Sequence, residues 1–303
     1  MTQQLTPNRL TPSEAARQLA LAMSDNGYPI SGAPIGDGAI HRFYVMGDKK
    51  RTLNGWYAFF LYPVPAAAYG SWKTQEKFTW SAVQKRDLTE TQQGEYRRLM
   101  ESAKRQQEEK RLHEQRCVAD EATAFFERLP HDVQLLPYMT RKNVDAYGLR
   151  RHGELVVVPV CDIDGNITSL QFISSDGSKR FKRGGRVSGC FHLIGEIDDI
   201  LYICEGYATG ATIHQETGLP AVIAFFAGNI EAVACGLRNK HPDALIIIAA
   251  DNDRFTPGNP GLTKAFKAAK ATRAELIVPK FNDDEPGTDW NDWVNNRGGL
   301  SWT

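Results

Sequence analysis

Residues 244–253, ALIIIAADND, put seven apolar residues directly ahead of two aspartates. A run of that length and β-branched content reads as a fully buried strand, and the Gly and Pro that follow in RFTPGNPG (254–261) end it. Upstream, ILYIC (200–204) is a second such run, and it passes straight into Glu205-Gly206. Between and around them the chain alternates: a helix from about Ala208 to Thr217, strand AVIAFF (221–226), helix NIEAVACGLRNKH (229–241), helix PGLTKAFKAAKA (260–271) and strand AELIVP (274–279). Continuous apolar strands separated by amphipathic helices predict a parallel sheet covered on both faces, an α/β fold.

Ligands of open α/β sheets gather at the carboxyl ends of strands. Extended residues at i and i+2 point the same way, so Asp251 and Asp253 are expected to aim at one point, and Glu205 joins them if its strand is a neighbour. Three carboxylates converging there repel one another unless a divalent cation sits between them, and hard oxygen ligands suit Mg²⁺ or Mn²⁺. The competing reading is that the two aspartates only cap the next helix or make a turn. Gly206 and Gly228 stand at strand ends and Gly210 in the first turn of the next helix, places where a backbone can approach a phosphate closely.

Upstream of the alternation, ELVVVPVCDIDGNITSLQFIS (154–174) reads as two strands joined by a turn at Asp164-Gly165. KRFKRGGR (179–186) then gathers Lys179, Arg180, Lys182, Arg183 and Arg186, with Phe181 among them as a surface for a base to stack on. Residues 83–129 are highly charged and predict a helical connector. Near the N-terminus, Thr11 before Pro12 and Glu14 marks a helix start. DGAIHRFYVMGDKKRTLNGWYAFFL (37–61) and the residues to Trp80 read as short strands in which Lys49, Lys50, Arg51, Lys73 and Lys77 interleave with aromatics. Such a module either packs its aromatics as a core or offers them to a single strand.

The chain has 303 residues, 36 Lys and Arg against 36 Asp and Glu, so its net charge selects no partner. Five scattered cysteines without a CxxC pair exclude a disulfide framework and a zinc ribbon, and no zinc is expected. Neither a signal peptide nor an apolar run of membrane length is present, which predicts a cytoplasmic protein without a membrane partner. No GxxxxGK[ST] occurs, so no P-loop helicase is expected in this chain.

ICEGYATG (203–210), AFFAGNI (224–230) and IIIAADND (246–253) resemble the successive motifs of a Toprim domain. GELVVVPVCDIDGNITSLQFISSDGSKRFKRGGRVSGCFHLIG (153–195) resembles the basic subdomain that precedes Toprim in bacterial-type primases, and GSWKT (70–74) with residues 37–61 is similar to primases of plasmids, prophages and integrative elements. The resemblance implies an N-terminal α+β accessory module (1–82), the charged connector (83–129), a small basic α+β primase subdomain (130–198) and a catalytic Toprim domain with a Rossmann-like parallel sheet (199–303). It implies a DNA primase making short RNA primers on single-stranded DNA for a mobile element. Glu205, Asp251 and Asp253 would then be catalytic and hold Mg²⁺ or Mn²⁺, joined by Asp289 of GTDWNDWV (287–294). Lys179, Arg180, Lys182, Arg183, Gly206, Gly228 and Asn229 would meet nucleic acid or a ribonucleoside triphosphate, and a replicative helicase or another replication protein would be a partner. Thr209 and Asn291 stand where such primases often carry acids. The competing functions are a Toprim nuclease and a non-catalytic single-stranded-DNA-binding accessory.

Overall fold

The computed structural model describes residues 10–62, 64–83 and 90–298, and the chain divides into two compact units, residues 1–110 and 111–303. In the first, helix α1 (Pro12–Asp25) starts where the sequence predicts. The Thr11 hydroxyl accepts from the Glu14 N–H while the Glu14 carboxylate accepts from the Thr11 N–H, a reciprocal cap that contributes about 1 kcal/mol. Four strands follow, β1 (Asp37–Phe43), β2 (Gly55–Phe60), β3 (Ala66–Ser71) and β4 (Lys77–Ser81), each antiparallel to the next in the order β1-β2-β3-β4. Alternation along β2 buries Tyr57 and Phe59, which join Ala67 and Tyr69 against Ala15, Ala16, Leu19 and Met23 of α1. Phe59 is therefore core. The residues between them, Trp56, Ala58 and Phe60, face the other way and are half-exposed.

The charged stretch forms a long helix, α2 (Glu90–Glu127), whose last turns carry Ala122, Phe125 and Phe126 into an apolar cluster with Val157, Leu170 and Phe172. Residues 84–89 of the expected connector lie outside the described residues. In the second unit, a short helix α3 (Pro137–Lys142) precedes a four-stranded antiparallel sheet: β5 (Arg150–His152), β6 (Leu155–Cys161), β7 (Ile167–Ile173) and β8 (Lys179–Phe181). The β6–β7 turn falls at Asp164-Gly165, with Gly165 at φ 88°, a conformation that glycine reaches without steric cost.

The remaining residues build the α/β layer. Its strands are β9 (His192–Ile194), β10 (Ile200–Cys204), β11 (Ala221–Ile223), β12 (Leu245–Ala249) and β13 (Glu275–Ile277), in the order β13-β12-β10-β11-β9. All pairings are parallel except that of β9, the antiparallel edge. Helices α4 (Tyr207–Thr217), α5 (Ile230–Lys240), α6 (Pro260–Thr272) and α7 (Trp290–Arg297) complete it, and the two faces of the sheet feed two separate apolar clusters, as a sheet covered on both sides requires. The strand expected over 221–226 stops at Ile223: the Ala224 N–H makes a last ladder bond to the Cys204 carbonyl, and Phe225 then turns the chain through φ 71°. No described helix is long and apolar enough to cross a membrane.

Candidate active site

Strands β10 and β12 are neighbours in parallel register, with Cys204 opposite Ala249. Glu205 and Asp251 therefore leave the sheet at one end, one and two residues beyond that pair. Asp251 and Asp253 stand beyond the strand rather than within it: β12 ends at Ala249 and residues 250–253 are loop. Two interactions shape the loop instead. The Asn252 N–H donates to the Thr288 carbonyl (2.7 Å), which brings the neighbouring Asp289 beside Asp251. The Asp253 carboxylate accepts from the Gly261 N–H (2.9 Å) in the first turn of α6, so Asp253 does part of the capping work that was the competing reading. A Cβ on Gly261 would stand 2.8 Å from that carboxylate, so only glycine fits there without displacing it.

The acids sense one another. Burial first, then the charges of Glu205, Asp289 and Asp253, push Asp251 well above the usual carboxylate range, with Lys179 opposing. Glu205 is raised by burial and by Asp253, and held down by Lys179 and Lys264. Asp289 is raised by burial, with Lys142 acting against the shift. Even Cys204, at the end of β10, is raised by its burial among these charges.

One oxygen, Asp251 Oδ1, is buried and accepts no hydrogen bond. A buried carboxylate oxygen without a donor is costly, and a hard divalent cation is the partner that its chemistry fits. As placed, however, no three His, Cys, Asp or Glu side chains among the described residues stand close enough to hold one ion. The donor set thus fits the cation in type and charge, and binding would require the carboxylates to draw inward.

The basic stretch splits by strand alternation. Lys179 and Phe181 of β8 point one way and Arg180 the other. Lys179 reaches over Gly206, 3.4 Å from where a Cβ would be, into the carboxylates. Arg180 lies over the Phe172 ring at 5.7 Å, Lys182 pairs with Glu121 (3.1 Å), Arg186 pairs with Asp162 (3.3 Å), and Arg183 is exposed. Phe181 is packed edge-on against Phe225 (5.7 Å) and Phe226 (6.4 Å) rather than open to a base.

Asn229 does not face the site. It is buried and accepts from the Gly189 N–H (2.7 Å) while its amide donates to the carbonyls of Val187, Cys190 and Ala224. Gly228 stands near Lys264, and Gly210 is a packing residue, with room for no Cβ against Ile223 (2.8 Å). Asn291 is also turned inward, donating to the Lys142 carbonyl (2.7 Å) and Thr212 Oγ1 (2.8 Å), and Thr209 is buried within α4. The position next to Asp289 is filled instead by Asp292, which with Asp289 holds Lys142 (3.1 and 3.7 Å).

Lys142 and Lys264 were not singled out from the sequence. Lys142 lies some 150 residues from its partners in a stretch without any motif, so no local pattern marks it. Lys264 was legible in principle, as the basic residue one turn into the helix that follows Asp253.

Residues 200–299 match the Toprim domain family. The chain is 34% identical over 289 residues to a DNA primase TraC of Escherichia coli, covering 91% of this chain and 27% of that protein. A second DNA primase TraC of Escherichia coli is 36% identical over 291 residues, covering 89% and 19%. The chain thus spans about a quarter or less of the length of these relatives. Among solved structures, the DnaG primase catalytic domain bound to ssDNA shows a TM-score of 0.43 at 12% identity, covering 62% of this chain and 77% of that one. The zinc-binding and RNA polymerase domains of the Aquifex aeolicus primase show 0.42 at 14%, covering 94% and 82%. The layer from β10 to α7 is therefore a Toprim domain, in a chain similar over nine-tenths of its length to DNA primase TraC.

Proposed function

We propose that this chain is the catalytic part of a DNA primase of mobile-element type, a nucleotidyltransferase that joins ribonucleotides on a single-stranded DNA template in the cytoplasm. The observation that carries the reading is the placement of Glu205 and Asp251 beyond neighbouring parallel strands, with Asp289 beside them and the buried Asp251 Oδ1 lacking a partner. The similarity to DNA primase TraC supports it.

Glu205, Asp251 and Asp289 would hold Mg²⁺ or Mn²⁺, with Asp253 joining if it yields its bond to Gly261. When bound, the cation supplies Lewis-acid stabilisation of a phosphoryl group and its pyrophosphate leaving group. The protein's own cations do the rest. Lys179 stands among the carboxylates and Lys264 close by, so both are placed to meet the phosphates of an incoming ribonucleoside triphosphate. Lys142 stays outside this role, because Asp289 and Asp292 hold it and so orient the start of α7. A replicative helicase or another replication protein would act with it on the template.

The test is incorporation of labelled ribonucleotides on single-stranded DNA with Mg²⁺ or Mn²⁺, comparing wild type with Asp251→Asn. Short products that disappear in the variant support the reading. Equal strand binding with no product from either protein would reject it for this chain and leave a binding accessory.

A further inference from the structure

The N-terminal sheet has one face that α1 does not cover. Cross-strand register sets out what lies on it. One row runs Arg42–Trp56–Gly70–Lys77 across all four strands, and the next runs Ile40–Ala58–Ala68–Thr79. The cluster under α1 takes its strand residues from the opposite parity, Tyr57, Phe59, Ala67 and Tyr69. On the uncovered face Ile40 is 61% exposed, and Arg42, Lys77 and Thr79 are exposed.

Aromatic and cationic groups meet at one end of this face. The Trp56 and Trp72 rings stack at 5.9 Å and 27°, the Arg42 guanidinium lies 4.9 Å from the Trp72 ring centre, and Trp72 is 47% exposed. The connection from β1 to β2 at this same end carries Lys49, Lys50 and Arg51, all exposed. Beside the rings Ala58 and Ala68 are small and half-buried, and the Glu76 carbonyl fills the place a side chain at Gly70 would take.

The charge is one-sided. Residues 37–81 contain six Lys or Arg and three acids, and all three acids are tied within the unit: Asp37 to His41, Asp48 to Lys73 and Asn54, Glu76 to Tyr28 and Thr74. Arg42, Lys49, Lys50, Arg51 and Lys77 pair with no carboxylate among the described residues. A sheet face with stacked indoles and a surplus of cations matches a chain of planar bases on a phosphate backbone.

We propose that this uncovered face binds single-stranded DNA, with bases stacking on Trp72 and Trp56 and phosphates meeting Arg42, Lys77 and the Lys49–Arg51 turn. The site is built from residues of the first unit alone and holds the strand without metal or nucleotide.

The test measures anisotropy of fluorescein-labelled oligothymidylate on the full chain in EDTA without nucleotides. Trp72→Ala weakens binding roughly tenfold and Trp72→Phe retains most of it, as loss and retention of one stacking ring require. Arg42→Ala and Lys77→Ala each lower the slope of log affinity against log salt by about one. A bromodeoxyuridine-substituted strand cross-links within residues 42–77. Binding by Trp72→Ala and Arg42→Ala equal to wild type, with cross-links only in residues 111–303, overturns the proposal and leaves the face to a protein partner. Because no primer synthesis is read, a chain that fails to make RNA yet loses binding with Trp72→Ala rejects the primase reading and keeps this one.

Discussion

At the scale of the residue, Asp251 carries most of the consequence. It is buried, faces three other acids, and leaves one oxygen without a donor. Asp251→Asn removes a charge that burial and its neighbours already oppose. Primer synthesis is expected to fall roughly a hundredfold or more, while the melting temperature in chelator stays level or rises, a pairing that distinguishes a functional acid from a structural one. The same acids set a pH dependence. Glu205, Asp251 and Asp289 all lie above their ordinary values of 4.5, 3.8 and 3.8. A carboxyl raised in the folded state contributes stability that is fully present below the unfolded value and is lost as pH rises through the folded one. Stability in EDTA is therefore expected to fall as pH rises above the ordinary carboxylate range. Added Mg²⁺, which binds the ionised forms, should raise the melting temperature more at about pH 8 than at about pH 5. A uniform effect of Mg²⁺ across pH would argue against these carboxylates as its ligands.

At the scale of the element, two asparagines show how a motif position is put to structural use. Asn229 spans the start of α5 and the segment before β9 through four hydrogen bonds, three of them donated by its amide to backbone carbonyls. Asn229→Ala leaves those buried groups unpaired and is expected to cost about 2–4 kcal/mol, measured by denaturant unfolding with substrate affinity per folded molecule unchanged. Asn291 ties α7 to α4 and to the end of α3. Restoring an acid with Asn291→Asp sets a carboxylate against the Lys142 carbonyl in a buried place, so it should destabilise by about 2 kcal/mol or more and add no activity. The elements themselves were readable where period and punctuation are local: the Thr11 cap, the Asp164-Gly165 turn and the β10–α4 and β12–α6 alternation all declare themselves within a few residues. Glu205 and Asp251 were readable because strand ends announce them, and Asp289 only through the likeness of GTDWNDWV to the acidic segment of primases. What escaped depends on distant partners. The Thr288 carbonyl that shapes the Asp251 loop is a partner that no local window contains.

At the scale of the whole molecule, the described apolar clusters divide between the units: one lies beneath α1, and three lie in residues 111–303. Met23→Ala, which empties a fully buried position under α1, should cost about 2–5 kcal/mol and lower one calorimetric transition while leaving the other in place. A single transition that shifts as a whole would contradict that. The order β13-β12-β10-β11-β9 has a kinetic consequence as well. Glu205 directly follows the strand with partners on both sides, so carrying its backbone far means loosening the sheet, a costly excursion for the domain. Asp253 is held by a loop and by one amide of a helix end, which open at small cost. An ion entering here would meet one ligand that waits and another that arrives, and the pace of its exchange would be that of the loop.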